Sequence, residues 1–348
     1  MCNIAGYIGT KQAAPILIDM LRNQEGLDAG YYTGIATIHE GKIHYRKLVG
    51  SLDRLLEETD AASLPGTIGI IHGRTPGDTG DSWAHPFTCE KDGEVKTAFV
   101  LNGTVGCGEK YQERHIPIAE ELIKDGYELK SRVESNGKSL TLSDNTRVHL
   151  SDVLTQLISR KILNGMNTVD AIEESYCQMP KENASLMLSV TEPNAISWGR
   201  MNFPMYVGFD EDGAYLATAP QCFPNEVGEP TLLPIMSSGL VYRDMFTCKA
   251  FKEQPFKVAP LTMCVQAECY KACFEALKTG KTTVPKLGEI CEPLFDKADC
   301  TQRGAALYRV LYDIHKKGKL KIDIEYTPGV YEGLLAPVYY MSLVDSHS

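Results

Sequence analysis

The amino-terminal stretch of the chain reads Met1-Cys2-Asn3-Ile4-Ala5-Gly6-Tyr7-Ile8-Gly9. Its apolar run predicts a buried strand that would anchor the cysteine before it. Because cysteine is small enough for Met1 to be trimmed, we expect Cys2 to carry both a thiol and a free α-amine. An α-amine has an unperturbed pKa of about 7.7 to 8.0 and can accept the thiol proton. The stretch therefore predicts a buried first strand with a self-activated nucleophile, although Cys2 taken alone is more typical of an unreactive core cysteine.

Three further blocks follow this stretch in the chain. They are Gly26-Leu27-Asp28-Ala29-Gly30-Tyr31-Tyr32-Thr33-Gly34-Ile35-Ala36, then Ile68-Gly69-Ile70-Ile71-His72-Gly73-Arg74-Thr75 with Trp83-Ala84-His85-Pro86-Phe87 after a loop, and then Ala98-Phe99-Val100-Leu101-Asn102-Gly103. An Asn-Gly pair alone would predict only a hairpin turn, so the common order of the blocks is the informative feature. Together they resemble class II glutamine amidotransferases of the N-terminal nucleophile hydrolase family, over roughly the first two thirds of the chain. Asn3 stands where that family usually has glycine.

The resemblance implies a set of catalytic and substrate-binding residues. Cys2 would attack the side-chain amide of glutamine, and the Asn102 amide with the Gly103 N–H would form the oxyanion hole. Arg74 would bind the substrate's α-carboxylate, because its planar guanidinium suits a bidentate contact. Thr75 and His85, in the same blocks, are expected to bind substrate beside it.

The substrate's α-ammonium requires an acidic side chain, which the family carries in a strand shortly before a helix. The segment 142–148 precedes a helical spacing that begins at Val153, so Asp144 is the candidate. Glu134 would match the family without a gap and is the alternative. Asp144 is an equally good candidate for the N-terminal cap of that helix.

The resemblance implies an α+β fold, a four-layer αββα sandwich of the N-terminal nucleophile hydrolase type, for residues 2–250. Periodicity alone predicts only mixed α and β structure. A late hairpin is expected at 205–220. The predicted outer helices lie between Pro15 and Asn23, Ile116 and Asp125, Val148 and Ser159, and Val169 and Tyr176.

The pattern changes at about Pro255, and residues 255–348 are predicted to form a second domain. Helix-like segments at 265–277, 287–294 and 301–315 precede an alternating strand at 319–326, a turn at 327–329 and a return strand from Tyr331 to Met341. This order resembles a winged-helix module, whose third helix often enters the DNA major groove. The chain has a formal charge of −10, whereas phosphate-driven binding needs a basic excess. We therefore expect a protein-docking role rather than nucleic-acid binding.

Composition limits the remaining classes. The 348 residues contain no apolar span of membrane length and no signal-peptide pattern at the start, which predicts a cytoplasmic protein without a membrane partner. The 11 cysteines are odd in number and scattered, as expected for reduced core thiols. Cys264, Cys269 and Cys273 lie in a helix-like segment without a Cys-x-x-Cys pair, so packing explains them better than a metal. Neither a metal nor a cofactor is predicted.

The expected small-molecule partner is glutamine. The residues after about Pro255 are too few for the synthase domains to which such glutaminases are often fused, so we expect a separate ammonia-accepting synthase subunit. A homo-oligomer is compatible with the sequence. Two other functions stay open. One is hydrolysis of another amide on the same scaffold, favoured by the flexible, doubly acidic loop at 75–83, and the other is a non-catalytic glutamine sensor that signals through its C-terminal module.

Overall fold

The computed structural model describes residues 2–27, 29–77, 79–104, 106–137, 141–328 and 335–344. Met1, Asp28 and Tyr331, named above, lie outside these ranges, as do Asp78 of the loop at 75–83 and Gly329 of the expected turn at 327–329. Within them the α-helices are α1 (Ala13–Arg22), α2 (Leu52–Glu58), α3 (His115–Lys124), α4 (Leu150–Leu163), α5 (Thr168–Gln178), α6 (Met263–Lys278), α7 (Val284–Lys297) and α8 (Arg303–Lys316). The strands of the same residues are β1 (Asn3–Gly9), β2 (Tyr32–His39), β3 (Lys42–Val49), β4 (Ile68–Arg74), β5 (Phe87–Lys91), β6 (Glu94–Thr104), β7 (Val133–Glu134), β8 (Thr146–Arg147), β9 (Glu182–Ser189), β10 (Ile196–Arg200), β11 (Tyr206–Phe209), β12 (Gly213–Ala217), β13 (Thr231–Leu232), β14 (Ser237–Val241), β15 (Lys249–Ala250), β16 (Leu320–Pro328) and β17 (Leu335–Leu343).

The first sheet is antiparallel, with the strand order β13-β11-β12-β1-β4-β2-β3 among the described residues. The predicted first strand, β1, lies inside it between β12 and β4, and its side chains from Asn3 to Ile8 are buried. Gly6 allows the two sheets to approach, because a Cβ there would come within 2.8 Å of Leu186 Cδ1 on the second sheet. The cysteine before β1 is therefore fixed at a rigid sheet end.

The second sheet has the order β15-β14-β10-β9-β6-β5 and packs against the first. The core between them contains buried residues of both sheets, among them Ile4, Ile70, Val100, Leu186 and Trp198. Helices α1 and α2 cover the outer face of the first sheet, and α3, α4 and α5 cover the second. The expected helix, sheet, sheet, helix layering is present, and the predicted helices and late hairpin of this region are confirmed. Helix α2 was not predicted.

The C-terminal region contains α6, α7 and α8 followed by the antiparallel pair β16 and β17, in the predicted order. Helix α8 packs against the sandwich, where the Tyr206 hydroxyl donates to the Ala305 carbonyl over 2.9 Å and Arg200 donates to Gln302 over 2.8 Å. Arg303, at the start of α8, pairs with acidic side chains of α7. The third helix is thus a buried contact with the sandwich, while its assignment to a winged-helix module stays a prediction.

No helix within the described ranges joins the length and the apolarity that crossing a bilayer would require.

Candidate active site

Cys2 and Arg74 lie at the same end of the first sheet. In the antiparallel pairing of β1 with β4, Asn3 lies opposite Gly73. Cys2, just before Asn3, and Arg74, just after Gly73, therefore lie next to each other at this end of the sheet. Both line one cavity of about 590 Å³. Thr75, His85 and Gly103 of the expected site also line it, as do Trp83, Leu101, Thr104, Gln112, Gly137, Val148, His149, Leu150, Ser151 and Lys181.

Asn102 and Gly103 lie near the end of β6, where Asn102 contacts the nucleophile and Gly103 lines the cavity. Asn102 lies near the end of β6, and its Oδ1 accepts a hydrogen bond from the Cys2 nitrogen over 3.1 Å. The Nδ2 of Asn102 is buried and has no hydrogen-bond partner within the described part of the chain. At Gly103 a Cβ would come within 2.9 Å of the Glu182 carbonyl oxygen, so this close approach requires glycine. A free side-chain donor therefore lies beside Cys2, as an oxyanion hole requires.

Arg74 presents a half-buried guanidinium to the cavity. It lies over the Tyr32 ring at 4.7 Å and near the Trp83 ring at 5.9 Å from their centroids. Among the described residues, no group accepts a hydrogen bond from its buried Nη1 and no carboxylate forms an ion pair with it. Because a buried donor without a partner is costly, this side chain is suited to bind a carboxylate ligand.

The loop after Arg74 is anchored where the structure describes it. The Tyr32 hydroxyl donates to the Thr79 carbonyl over 2.7 Å, and Trp83 Nε1 donates to the Ser131 carbonyl over 2.6 Å. The Asp81 carboxylate accepts from the Val49 N–H over 2.7 Å. These contacts hold Trp83 against the cavity rather than leaving the loop open.

Asp144, the expected ligand of the substrate ammonium, is not brought to the cavity. Its carboxylate pairs with Arg132 and accepts from the Thr146 N–H over 3.1 Å. The segment forms a tight turn, with Asn145 at a φ of 63°, and the cap of α4 is His149 instead. The alternative, Glu134, is exposed on β7. Of the described residues that line the cavity, none is acidic.

A histidine group, which consists of His72, His85 and His149, packs beside the cavity. The ring centroids of His72 and His85 are 3.9 Å apart, and those of His85 and His149 are 5.6 Å apart. Burial lowers the pKa of His72 to about 3 and holds the pKa values of His85 and His149 well below their ordinary value. This wall is therefore polar but neutral at physiological pH.

Two residues that no motif in the sequence marked are coupled electrostatically to Cys2. Lys181, just before β9, is 5% exposed and lines the cavity. Burial lowers the pKa of Lys181 to about 8, and Cys2 acts in the opposite direction. Tyr308 of α8 has a buried hydroxyl without a described partner, and burial, with a smaller contribution from Cys2, raises its pKa. Lys181 reaches the cavity through long-range packing, which a local motif cannot report.

The C-terminal module contains a separate cluster of buried thiols. Cys269 and Cys273 of α6 lie 3.8 Å and 3.6 Å, between sulfur atoms, from Cys291 of α7. Their surroundings are the apolar core of the module. Cys264, grouped with them by the sequence, is exposed. Three buried thiols this close together could also hold a metal ion, so the packing role of Cys269 and Cys273 stays a prediction.

Comparisons with known proteins extend these findings. No family model matches the chain. Among curated proteins, the chain is 27% identical over 350 aligned positions to a glutamine–fructose-6-phosphate aminotransferase of Pyrococcus horikoshii, covering 93% of this chain and 54% of that protein. It is 32% identical over 222 positions to the Caldanaerobacter subterraneus protein of the same name, and this alignment covers 63% of this chain and 31% of that protein. The chain thus spans about half or less of the length of these relatives.

Solved structures share the fold. A glutamine phosphoribosylpyrophosphate amidotransferase from B. subtilis, in complex with ADP and GMP, aligns with a TM-score of 0.58 and 13% identity over 92% of this chain and 66% of its own. A structure described as the allosteric regulatory enzyme of purine biosynthesis aligns with a TM-score of 0.60 and 14% identity, over 99% of this chain and 71% of its own. The chain is thus similar in sequence to glutamine–fructose-6-phosphate aminotransferases and in fold to a glutamine phosphoribosylpyrophosphate amidotransferase.

Proposed function

We propose that this protein hydrolyses the side-chain amide of glutamine to glutamate and ammonia, with Cys2 as the nucleophile. The observation that carries the proposal is the double role of Asn102. Its Oδ1 holds the Cys2 nitrogen, while its buried Nδ2 has no described partner. A buried donor without a partner is costly, and an oxyanion that forms beside the nucleophile would satisfy it.

The chemistry uses residues that meet at the cavity. In the processed protein, the α-amine of Cys2 accepts the thiol proton, and the sulfur attacks the amide carbon. The Nδ2 of Asn102 and the N–H of Gly103 stabilise the oxyanion. The α-ammonium then protonates the departing nitrogen, which leaves as ammonia, and water hydrolyses the thioester to release glutamate. Arg74 binds the α-carboxylate, with Thr75 and His85 beside it.

The released ammonia is proposed to pass to a separate synthase subunit. The relatives' names describe amino transfer to fructose 6-phosphate, a reaction that needs an acceptor for the nitrogen of glutamine. We assign residues 2–250 to the glutaminase and residues 255–348 to a winged-helix-like module that docks a partner protein. A cytoplasmic location is supported by the cysteines with described side chains, which are free thiols.

Glutamate release from glutamine tests the proposal, with intact mass used to confirm the processed amino terminus. Cys2→Ala is expected to abolish release, because no other group replaces the sulfur. The matched control is Cys248→Ala, which removes an exposed thiol and should leave the rate unchanged within about twofold. Full activity of Cys2→Ala would overturn the mechanism.

A second candidate is hydrolysis of an amide that lacks the ammonium group of glutamine. It is favoured by the cavity lining, whose charged members among the described residues are Arg74 and Lys181, both basic. Glutaramate has the same amide and carboxylate as glutamine but no ammonium. A kcat/KM for glutaramate equal to or above that for glutamine would favour this candidate. A fall of tenfold or more would favour glutamine.

A further inference from the structure

Lys181 is a buried cation that the sheet register brings to the nucleophile. In the antiparallel pairing of β6 with β9, Thr104 lies opposite Glu182. Lys181 is the residue just before Glu182, at the end of the sheet where β6 ends. This is the sheet end that carries Asn102 and Gly103. The side chain is 5% exposed and shares the cavity lining with Cys2.

Other lysines with low exposure have partners that Lys181 lacks. Lys47 donates to the carbonyl oxygens of Ala84, over 2.9 Å, and Pro86, over 3.3 Å. Lys161 pairs with Glu174 over 3.2 Å. Across the described residues, Lys181 has neither a carboxylate within ion-pair distance nor a hydrogen-bond acceptor. A buried ammonium without a counter-ion is costly, so an anion is expected to form close to it.

The titratable groups that interact with Lys181 leave one candidate for that anion. His115 of α3 and His149 at the start of α4 both feel its charge, and burial holds both in the neutral form. The burial of Tyr308 of α8 disfavours its phenolate. Arg74, on the same cavity wall, is itself a cation. Cys2 is the remaining acidic group that couples to Lys181.

We propose that Lys181 is the counter-cation of the Cys2 thiolate, so that the resting site holds a thiolate and ammonium pair. The thiol proton goes to the α-amine of the processed terminus, as in the mechanism above, and Lys181 stays protonated throughout. Its charge lowers the free energy of the thiolate relative to the thiol. The inference rests on Cys2 as the nucleophile of the proposed function, but its test does not require amide hydrolysis.

The test is the pH dependence of Cys2 alkylation by iodoacetamide, followed by peptide mass spectrometry in the full-length processed protein. The thiolate alone reacts, so the midpoint of the rate profile reports its stability. Lys181→Met should raise the midpoint by about one pH unit or more and slow alkylation about tenfold at pH 6.5. Lys181→Arg keeps the charge and should stay within about threefold of the wild type.

Two internal controls make the result specific to Lys181. Exposed Cys248 is alkylated in the same sample and should keep its rate in every variant. Lys161→Met removes a lysine that pairs with Glu174 away from the cavity and should leave the Cys2 midpoint unchanged. If Lys181→Met does not fold, Lys181→Gln provides the same measurement.

Each outcome separates this inference from the proposed function. An unchanged Cys2 midpoint in the neutral variants, with glutamine still hydrolysed, would overturn the role of Lys181 and leave the glutaminase intact. A midpoint that depends on the Lys181 charge would support the pair, even if no amide were hydrolysed. Equal shifts at Cys2 and Cys248 would mean general unfolding and would count against the inference.

Discussion

The two walls of the cavity both contain buried polar atoms without described partners, but they differ in charge and in their contact with Cys2. Around Cys2, the Nδ2 of Asn102 lacks a described partner, and Lys181 lacks a described counter-ion. On the histidine side, burial keeps His85 and His149 neutral. The first wall can therefore stabilise developing negative charge, whereas the second can shape and orient a ligand without adding charge.

This difference shows that polar composition does not by itself make a catalytic surface. A group stabilises a transition state when its donor or charge is held in place and not already satisfied. Asn102 meets that condition, because its oxygen is fixed by the Cys2 nitrogen and its nitrogen is free. His72 and His85 also have ring nitrogens without described partners, but they are neutral and no hydrogen bond among the described residues joins them to Cys2. Substitutions on the two walls should therefore affect different measurements.

Asn102→Asp should produce the largest effect. The substitution keeps an oxygen that accepts from the Cys2 nitrogen and replaces the Nδ2 donor with a second acceptor. The kcat for glutamine should fall by at least about 10², with a smaller change in KM, because the lost contact forms in the transition state. Steady-state glutamate release measures both constants.

The control for this substitution is Asn167→Asp, which replaces the cap of α5 with an equally good capping residue far from the cavity. Its kcat should stay within about twofold of the wild type. A kcat of Asn102→Asp within tenfold of the wild type would remove the Asn102 side chain from the oxyanion hole.

His149→Asn should change acid stability rather than the oxyanion contact. Because burial lowers the pKa of folded His149 below that of the unfolded chain, the unfolded state binds the proton first as pH falls. The wild type therefore loses stability below an unfolded pKa of about 6.5, by about 1.4 kcal/mol at pH 5.5 from this group. Asparagine keeps the helix cap but does not titrate in this pH range. The variant should therefore lose less stability on acidification than the wild type, by the contribution of this one group.

Urea unfolding at pH 7.5 and pH 5.5 measures this difference. His39→Asn, at an exposed side chain, is the matched control and should shift the comparison by less than about 0.5 kcal/mol. An equal loss of unfolding free energy between pH 7.5 and pH 5.5 in His149→Asn and the wild type would show that His149 is not held neutral.

The residues that sequence reasoning found are those that end a strand with a local motif. Arg74 is the last residue of one apolar strand, and Asn102 and Gly103 lie near the end of another. Residues at strand ends can be read from the sequence, which is why these three could be predicted to lie in one site. Lys181 reaches the cavity through the register of β6 with β9, and the buried Tyr308 lies on α8, more than 300 residues along the chain from Cys2. Such distant packing leaves no local pattern. Asp144, whose role stays a prediction, lies in a tight local turn that uses its carboxylate.

Asp144→Asn is expected to give the smallest effect and tests which acidic residue binds the substrate's ammonium, since no described residue of the cavity lining is acidic. Because its carboxylate is exposed and paired with Arg132, kcat/KM for glutamine should stay within about twofold, and stability within about 1 kcal/mol. Glu134→Gln should behave in the same way.

Asp78→Asn is the third variant to compare, since Asp78 lies in the loop that follows Arg74 in sequence. A tenfold rise in KM for Asp144→Asn or Glu134→Gln would return that residue to the substrate site, whereas a rise confined to Asp78→Asn would assign the ammonium to the loop.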